Sequence, residues 1–401
     1  MATNLTYDGG RSIAARNAIA AVFFVNGATF SSWLPRLPEL QERLGISDAA
    51  LGVTLVGSGV GGLAASAWSG WLVDRRGSRA VTVATSVALS LALPLLSVAP
   101  AAAAVFAVLV LLGALDGLTD VAMNSQAVVL QRSTGRSILS RFHALWSLGA
   151  VSGGLVASRA AAAGVSLRMQ LLATAVVLAA TTVVMGRWLL PTDPTRHDSR
   201  DDVKRTGRTE RKTLALLFVV GMGVALAELP PNDWAALLML DRFGLSEGAA
   251  ALGFVATAGG MLVGRLGGDH VADRCGVERT RRMGAATAAI GVVVAATVPT
   301  PLVAGCGLFV TGLGLSSLFP LVFLAASELT HGSHSGMASF SSGARLGFLL
   351  ASPLVGMIAN WTSVATGVLV VAGSAGLAVS LVRLPRPVEA ATPQRAVTPL
   401  A

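Results

Sequence analysis

Long apolar segments recur along the whole of this chain, and they constrain its fold more than any other feature. The charged stretch GWLVDRRGSR, residues 70–79, is preceded by LGVTLVGSGVGGLAASAWS and followed by AVTVATSVALSLALPLLSVA. Each apolar run is close to the roughly 20 residues that a helix needs to cross about 30 Å of hydrocarbon. Charged residues make up only 13% of the 401 residues, too few to cover a soluble protein of this length. The chain is therefore predicted to be an all-α membrane protein that crosses the bilayer many times.

The apolar segments predict twelve membrane helices in two groups of six. The first group is 14–35, 49–73, 79–99, 102–131, 141–163 and 167–190; the second is 213–240, 247–268, 282–298, 302–327, 337–359 and 362–384. The segment between the groups is polar, mixed in charge and without apolar periodicity. We therefore predict an N-terminal six-helix half, a cytoplasmic linker, a C-terminal six-helix half and a cytoplasmic tail, at residues 1–190, 191–212, 213–384 and 385–401.

The distribution of basic residues predicts the orientation. With both termini inside, 23 of the 30 Lys and Arg residues fall in inside segments, which fits the positive-inside rule. Five fall outside, at Arg36, Arg43, Arg159, Arg168 and Arg242. Because the basic residues are scattered through short loops, the net charge of +9 does not indicate a nucleic-acid surface. We expect a multi-pass protein of the bacterial plasma (inner) membrane with both termini in the cytoplasm.

Small residues recur, many at four-residue spacing, in every third predicted helix. They are Gly57, Gly59, Gly61 and Gly62 in helix 2, Gly149, Gly153 and Gly154 in helix 5, Gly260, Gly264 and Gly268 in helix 8, and Ser339, Gly343 and Gly347 in helix 11. Such spacing puts small residues on one face and lets helix backbones approach closely. It predicts a three-helix unit used four times, as in inverted-repeat transporters. General tight packing is the alternative explanation.

A short charged turn is repeated at equivalent places in the two halves. Asp-Arg-x-Gly occurs at residues 74–77, between predicted helices 2 and 3, and again at residues 273–276, between helices 8 and 9. A turn this short requires glycine, and its charges remain at the headgroup level. Two copies indicate a shared role more strongly than one copy does, although each could still be an ordinary charged turn.

These turns resemble the loop signature G-x-x-x-D-R-x-G-R-R of the major facilitator superfamily. The matching residues are Gly70, Asp74, Arg75, Gly77 and Arg79 in the first copy and Asp273, Arg274 and Gly276 in the second. Ser78 departs from the signature, and Asp269 stands where the second copy would have its glycine. The resemblance implies a cytoplasmic gate, in which the Asp and Arg engage the opposite half near helix 11 when the protein faces outward.

Four further stretches are similar to one bacterial branch of that superfamily, the YbjJ-like transporters distantly related to fucose permease. They are TDVAMNSQAVVLQR (119–132), SRFHALWSLGAVSGG (140–154), NDWAALLM (232–239) and GLGLSSLFPLVFLAAS (312–327). The resemblance covers essentially the whole chain. It implies two six-helix halves with inverted three-helix repeats and transport by alternating access.

Helix 4 carries the densest set of polar residues within a predicted span. Asp116, Asp120 and Asn124 stand at i, i+4 and i+8 and so share one face, which we expect to line an aqueous cavity between the halves. Two carboxylates this close in a low-dielectric setting cannot both ionise cheaply, so one is expected to hold a proton. That property would couple proton movement to alternating access. A buried Asp paired with a neighbouring helix is the alternative.

Helices 1, 7 and 11 supply the remaining candidates. Asn26 lies midway along helix 1, and Arg345 in helix 11 is expected to pair with a gate or cavity carboxylate or to bind an anionic substrate. In helix 7, Glu228 and Asp233 flank two prolines that are expected to break the helix. Asp233 is interpreted either as a solvated mouth residue or as a ligand. Its neighbour Trp234 is interpreted as an interfacial anchor in preference to a substrate platform.

The sequence predicts a secondary active transporter of a small solute, coupled to protons. A membrane enzyme would require paired catalytic groups, and an ATP-driven pump a phosphate-binding loop; the sequence shows neither. A drug or metabolite efflux antiporter of the same fold is the alternative, and a membrane sensor is a more distant one. One Tyr, 13 Phe and seven Trp favour a small polar substrate over a large aromatic one. We expect a monomer in the lipid bilayer, with a small-molecule substrate and protons as partners and no nucleic acid, cofactor or metal.

Overall fold

The computed structural model of the chain describes residues 9–134, 139–191, 208–329 and 334–384. These residues form helices and turns, with no strand among them. Each predicted apolar segment corresponds to one long helix, so the all-α prediction is confirmed. The predicted tail and residues 192–207 of the predicted linker lie outside the described residues.

Twelve long helices, α1–α12, form most of the described part of the chain. The first six are α1 Gly9–Ser31, α2 Asp48–Arg76, α3 Ser78–Ala92, α4 Ala102–Thr134, α5 Leu139–Ala162 and α6 Leu167–Met185. The second six are α7 Arg208–Asp233, α8 Leu252–Cys275, α9 Val277–Thr297, α10 in two segments (Pro301–Leu315 and Leu318–Leu329), α11 His334–Trp361 and α12 Val364–Leu381. Helix α7 includes the last five residues of the predicted linker, 208–212, because Arg, Glu and Lys there are good helix formers.

Ten helical segments of the described residues are long and apolar enough to cross a membrane. The two long helices that this criterion leaves out are α5 and α9. Helix α5 has an arginine near each end, α9 has four charged residues near its start, and both are rich in Ala and Gly. Each packs along another long helix, α5 against α1 and α9 against α10. Small residues serve that packing better than large apolar ones, because they allow close approach of the backbones.

Short helices connect the long ones at one end of the bundle, and they correct two predicted boundaries. Predicted helix 3 was continuous to residue 99, but α3 ends at Ala92 and a separate turn follows Pro94. Predicted helix 7 was continuous to residue 240 with a break at its prolines. Instead α7 runs through both prolines and ends at Asp233, and a new helix, Ala235–Phe243, follows Trp234. The turn after the prolines closes because the Trp234 N–H donates to the Pro230 carbonyl at 2.9 Å.

The small-residue faces pack against helix backbones in the same way four times. A Cβ on Gly61 of α2 or Gly149 of α5 would collide with a carbonyl oxygen of α4 or α1, respectively. In the second half, a Cβ on Gly260 of α8 or Gly343 of α11 would collide with a carbonyl oxygen of α10 or α7. The predicted three-helix unit used four times is therefore confirmed. These glycines allow close backbone contact at equivalent pairs of helices, which general tight packing would not require.

The two halves meet mainly at the end that carries the short connecting helices, which we call the closed end. There α2 lies against α11, where a Cβ on Gly52 would collide with the Ser352 carbonyl oxygen. Helix α5 lies against α8 and against the short helix Glu247–Ala250 that precedes α8, and Ser158 Oγ donates to the Gly248 carbonyl at 2.6 Å. At the opposite end, which we call the open end, the signature residues 74–76 and 273–275 are exposed.

Candidate functional site

A hydrogen-bonded chain of three side chains links α4, α1 and α5 in the middle of the N-terminal half. Asn26 Nδ2 donates to Asp116 Oδ1 at 2.8 Å, and Trp146 Nε1 donates to Asn26 Oδ1 at 2.7 Å. Asn26 is buried, with 4% of its surface exposed, so both ends of its amide are used within the protein. Because the amide can satisfy donor and acceptor at once, it holds the carboxylate and the indole in one fixed arrangement.

Arg265 of α8 brings the C-terminal half to this chain. Its guanidinium lies over the Trp146 ring, 5.5 Å from the centroid, and it donates to Ser147 Oγ. Glu228 of α7 lies within electrostatic range of Arg265, although no ion pair joins the two. Stacking of a guanidinium on an indole is a cation–π contact that gains strength when water is excluded. The network therefore spans both halves through Arg265.

The second carboxylate of helix 4, Asp120, has a different environment from Asp116. Asp120 is exposed, whereas Asp116 is half-buried beside a small cavity lined by Phe30, Trp33 and Ser58. Asn124 Nδ2 donates at 2.9 Å to both the carboxylate and the backbone carbonyl of Asp120. The predicted triad thus divides into one carboxylate tied to α1 and one that is held only by its own helix.

The acidic residue at the end of α7 is buried instead of solvated. Only 7% of the Asp233 surface is exposed; its Oδ2 accepts from Ser352 Oγ of α11 at 3.1 Å, and its Oδ1 has no hydrogen-bond partner. The mouth interpretation of Asp233 is therefore wrong in this conformation. The anchor interpretation of Trp234 is wrong as well, because that side chain is fully buried and donates to the same Ser352 hydroxyl at 3.4 Å. Both errors have one cause: α11 covers the end of α7.

Arg345 stands apart from these groups. It is exposed on α11, and within the described residues no hydrogen bond or ion pair reaches it. The expected pairing with a gate or cavity carboxylate is absent from this conformation. The physical reason is solvent access: an exposed guanidinium can be hydrated and needs no protein partner.

The signature turns have the same backbone at both copies. Gly77 and Gly276 take φ values of 80° and 83°, a region that favours glycine, and each joins two long helices directly. The carboxylates of Asp74 and Asp273 are exposed, and no ion pair within the described residues engages them. Among the described residues, the gate contacts implied by the resemblance are thus not formed in this conformation.

The other signature residues take separate roles. Arg75 lies over the Trp71 ring at 5.3 Å and Arg274 is exposed, while Gly70 has open space around its Cα. Arg79 donates to the carbonyls of Gly186 and Arg187 at the end of α6. Arg79 is therefore tied to its own half here, where it supplies donors to the turn Gly186–Trp188 that follows α6.

Sequence reasoning missed Trp146, Ser147 and Arg265. Arg265 is an ionisable group within a predicted span, which is the criterion that singled out Arg345. In the structure Arg265 is partly buried and has protein partners, whereas Arg345 is exposed. Trp146 and Ser147 lie in the quoted stretch SRFHALWSLGAVSGG. Nothing in their local pattern indicates that they face Asn26, 120 positions away in the chain, or Arg265 in the other half.

Comparison with known proteins agrees with this architecture. The sequence profile described as Major Facilitator Superfamily matches residues 19–340. An uncharacterized MFS-type transporter of Yersinia pestis is 30% identical over 342 residues, which is 85% of this chain and 88% of the relative. The chain therefore belongs to the Major Facilitator Superfamily, a family of multi-pass membrane transporters of small molecules.

Two solved structures share the fold. The nucleoside transporter NupG, solved as a point variant, superposes with a TM-score of 0.76 at 14% identity, covering 91% of this chain and 98% of that one. The Escherichia coli fucose:proton symporter FucP, also a variant, gives a TM-score of 0.60 at 16% identity, covering 92% of this chain and 98% of that one. At such identities the likeness concerns the fold, and it agrees with the relationship to fucose permease that the sequence indicated.

Proposed function

We propose that this protein is a secondary active transporter that moves a small polar solute by alternating access and couples the movement to protons. The observation that carries the proposal is the polar network of Asp116, Asn26, Trp146 and Arg265, which contains groups from both halves. A site made of groups from two rocking halves changes its geometry whenever the halves move, as alternating access requires.

The arrangement of the two ends supports an inward-facing state. The halves are in contact at the closed end, and the open end carries the two signature turns with their exposed charges. If the basic loops lie in the cytoplasm, as the positive-inside rule predicts, the open end faces the cytoplasm of a bacterial inner membrane. The exposed carboxylates of Asp74 and Asp273, which form no ion pair with any described residue, agree with a gate that engages only in the outward-facing state.

Proton coupling is assigned to the helix-4 pair. Asp120 is exposed in this conformation and can exchange its proton with the open side, while Asp116 is shielded and held by Asn26. When the halves rock, a carboxylate that loses contact with water favours its protonated form, since burial without a counter-charge is costly. A helix-4 carboxylate that alternates between contact with water and burial would then bind and release one proton in each transport cycle.

The substrate class follows from the donors and acceptors around the network. Asp116 and Glu228 offer acceptors, Arg265 offers donors, and Trp146 offers one flat apolar surface. Such a set suits a small solute rich in hydroxyl groups better than a large apolar drug. A nucleoside transporter and a fucose:proton symporter among the structural neighbours support the same class.

A thermal-shift screen of the purified protein against sugars, nucleosides and organic acids would identify a ligand, because ligands stabilise the state that they bind. Transport of that ligand into proteoliposomes then tests the coupling. Asp120→Asn should abolish accumulation driven by a pH gradient but keep substrate exchange, and Asp116→Asn should have a weaker effect. Glu42→Gln, an exposed acid at the closed end, is the matched control.

Loss of exchange together with accumulation in Asp120→Asn would make Asp120 a substrate ligand instead of the coupling group. Gradient-driven accumulation that survives in both Asp variants would remove the helix-4 assignment and leave Glu228 as the next candidate. The orientation has its own test in an Arg200→Cys variant without the native cysteines. If an impermeant maleimide labels that residue from outside intact cells, the proposed topology is wrong.

A further inference from the structure

A basic groove lies at the open end of the C-terminal half, away from the polar network. It has a volume of about 940 Å³ and is formed by the start of α9, the end of α10 and the end of α12. Three arginines line it, Arg279 and Arg282 from α9 and Arg383 after α12. Nothing in the transport cycle proposed above uses these residues.

The positive charge of this groove is largely uncompensated. Glu278 is the one acidic side chain among its described lining residues, and its Oε1 accepts from the buried Arg281 at 2.7 Å. Arg279 and Arg383 are exposed, and no hydrogen bond or ion pair within the described residues reaches their guanidinium groups. Arg282 donates from Nε to the Ser380 carbonyl at 2.7 Å, which orients its guanidinium at the groove. The groove therefore presents three cations to whatever fills it.

Apolar side chains continue the same groove beyond the arginines. Met283 and Leu381 line it and remain 49% and 65% exposed, and Leu329 of α10 lines it as well. In a membrane protein such residues at the end of the spans meet the boundary between headgroups and acyl chains. Cations beside apolar surface match a molecule with an anionic head and a hydrocarbon tail.

The N-terminal half shows what covers the equivalent place there. The chain after α6 folds back, and its residues Leu189 and Leu190 are 2% and 3% exposed. Gln126 of α4 exchanges two hydrogen bonds with the Leu190 backbone, at 2.9 and 3.0 Å. Arg79 donates to the carbonyls just before this segment. After α12, by contrast, the described chain ends at Leu384 on the wall of the groove, so no described segment fills it.

We propose that the groove between α9, α10 and α12 is a binding site for an anionic phospholipid, with the phosphate held by Arg279, Arg282 and Arg383 and the start of an acyl chain against Met283 and Leu381. Basic pockets between helices at a membrane surface bind anionic headgroups through charge attraction, which neutral headgroups lack. Arginine suits the role because its planar donors match phosphate oxygens in pairs.

Native mass spectrometry of the full-length protein, titrated with dioleoylphosphatidylglycerol or dioleoylphosphatidylcholine, tests the proposal. Wild type should bind the first phosphatidylglycerol about tenfold more tightly than phosphatidylcholine, since each tenfold corresponds to about 1.4 kcal/mol, within reach of two charge contacts. The Arg279→Gln/Arg383→Gln double variant should lose that preference. Arg282 is left in place because it also holds the end of α12. The control is Arg159→Gln/Arg168→Gln, which removes two exposed arginines at the closed end.

Each alternative occupant has a distinct outcome. Equal phosphatidylglycerol binding in wild type and the groove variant would overturn the proposal, as would an equal loss in the control variant. Competition by inorganic phosphate at equimolar concentration would show a soluble-anion site instead of a lipid site. If removal of residues 385–401 raises lipid affinity tenfold or more, the C-terminal segment is the occupant and the lipid proposal is wrong.

The two native cysteines allow a second, local measurement in vesicles. Cys275 lines the groove and Cys306 is exposed elsewhere on α10, so Cys306→Ser and Cys275→Ser each leave a single labelling position. A bimane probe at Cys275 should be quenched at least twofold more by brominated phosphatidylglycerol than by brominated phosphatidylcholine at equal mole fraction. The probe at Cys306 should show no such difference. Equal quenching by both lipids at Cys275 would contradict a headgroup-selective groove.

Discussion

The two halves of this protein are built on the same frame but carry different chemistry. In the frame, Arg43 follows α1 and donates to the carbonyls of Leu96 and Ser97 after α3, and Arg242 follows α7 and donates to those of Ala296 and Val298 at the end of α9. At the open end Arg79 binds the chain after α6, and Arg281 and Arg282 bind the end of α12. Each contact supplies donors to helix-end carbonyls that the helix itself cannot satisfy.

The polar groups of the centre are not repeated in this way. Helix α4 carries Asp116 and Asp120, whereas its counterpart α10 has no acidic or basic side chain before Glu328. The C-terminal half contributes instead the arginine that reaches across to Trp146. The comparison shows that the two halves repeat the contacts that pack the helices and cap their ends. The functional groups depend on the one cavity that both halves share.

The largest loss of transport is expected when the contact between Arg265 of the C-terminal half and Trp146 and Ser147 of the N-terminal half is removed. Arg265→Gln removes a charge-assisted hydrogen bond to Ser147 and the cation–π contact with Trp146, together about 3 kcal/mol or roughly a hundredfold in substrate exchange. Arg265→Lys should restore only part, because an ammonium lacks the planar face. Arg345→Gln, an exposed arginine of the same half, should reduce exchange less. Equal losses in the two glutamine variants would show that the contact across the halves carries no special role.

The repeated frame should respond equally in both halves. Arg43→Gln and Arg242→Gln each remove hydrogen bonds from a charged donor to two or three carbonyls, so each should lower the free energy of unfolding by about 2 kcal/mol. Thermal unfolding of the detergent-purified variants measures both, with Arg168→Gln as the exposed control. A large loss in one half and none in the other would break the proposed equivalence.

The signature glycines give a smaller, paired effect. Alanine at Gly77 or Gly276 must combine a positive φ with an extended ψ, a region that residues with a Cβ almost never occupy, at a cost of about 1–2 kcal/mol. Gly70→Ala should leave the melting temperature unchanged or raise it, because that glycine lies within α2 with open space around it. The same thermal melts decide the matter. A Gly70→Ala variant as unstable as the other two would mean that Gly70 makes a contact absent from this conformation.

The smallest effect is expected for the gate carboxylates. Asp74→Asn and Asp273→Asn should favour the conformation open at that end by about 0.3–1 kcal/mol, the usual value for an exposed carboxylate near a helix end. Turnover should then fall up to about fivefold with expression nearly unchanged. A fluorescence-transfer pair at Arg76→Cys and native Cys275, in a Cys306→Ser background, reports the population shift. If both variants keep the wild-type turnover and the wild-type distance between the two probes, the turns are ordinary loops and not a gate.

The prediction of helices succeeded where long-range contacts were not needed. The length and hydropathy of the segments located the membrane spans. The recurrence of small residues, among them Gly61, Gly149, Gly260 and Gly343, indicated the three-helix unit used four times that the packing confirms. Errors fell at the ends of helices, near Pro94 and Pro230. Whether a proline ends a helix there depends on whether nearby groups satisfy the freed carbonyls, and a local pattern does not reveal those groups.

The candidate site could be predicted only in part. The shared face of Asp116, Asp120 and Asn124 follows from helical periodicity, and Asn26 was a candidate as an amide within a span. The partners of Asn26 are distant in the chain: Asp116 is 90 positions away and Trp146 is 120. Nothing local marks such partners, because a helix can turn the same polar face to several neighbours.

The sequence alone determined that this protein lies in a lipid bilayer. It also determined the repeated architecture and the positions of the charged residues within the membrane-spanning helices. Those properties follow from the high cost of exposing backbone or charge to hydrocarbon, which acts on each segment by itself. The tertiary structure decided that Arg265 meets Trp146, that α11 buries Asp233 and that one end is closed. Contacts of that kind depend on how two packed halves fit together, and the conformers of a transporter differ by only a few kcal/mol, which no single segment encodes.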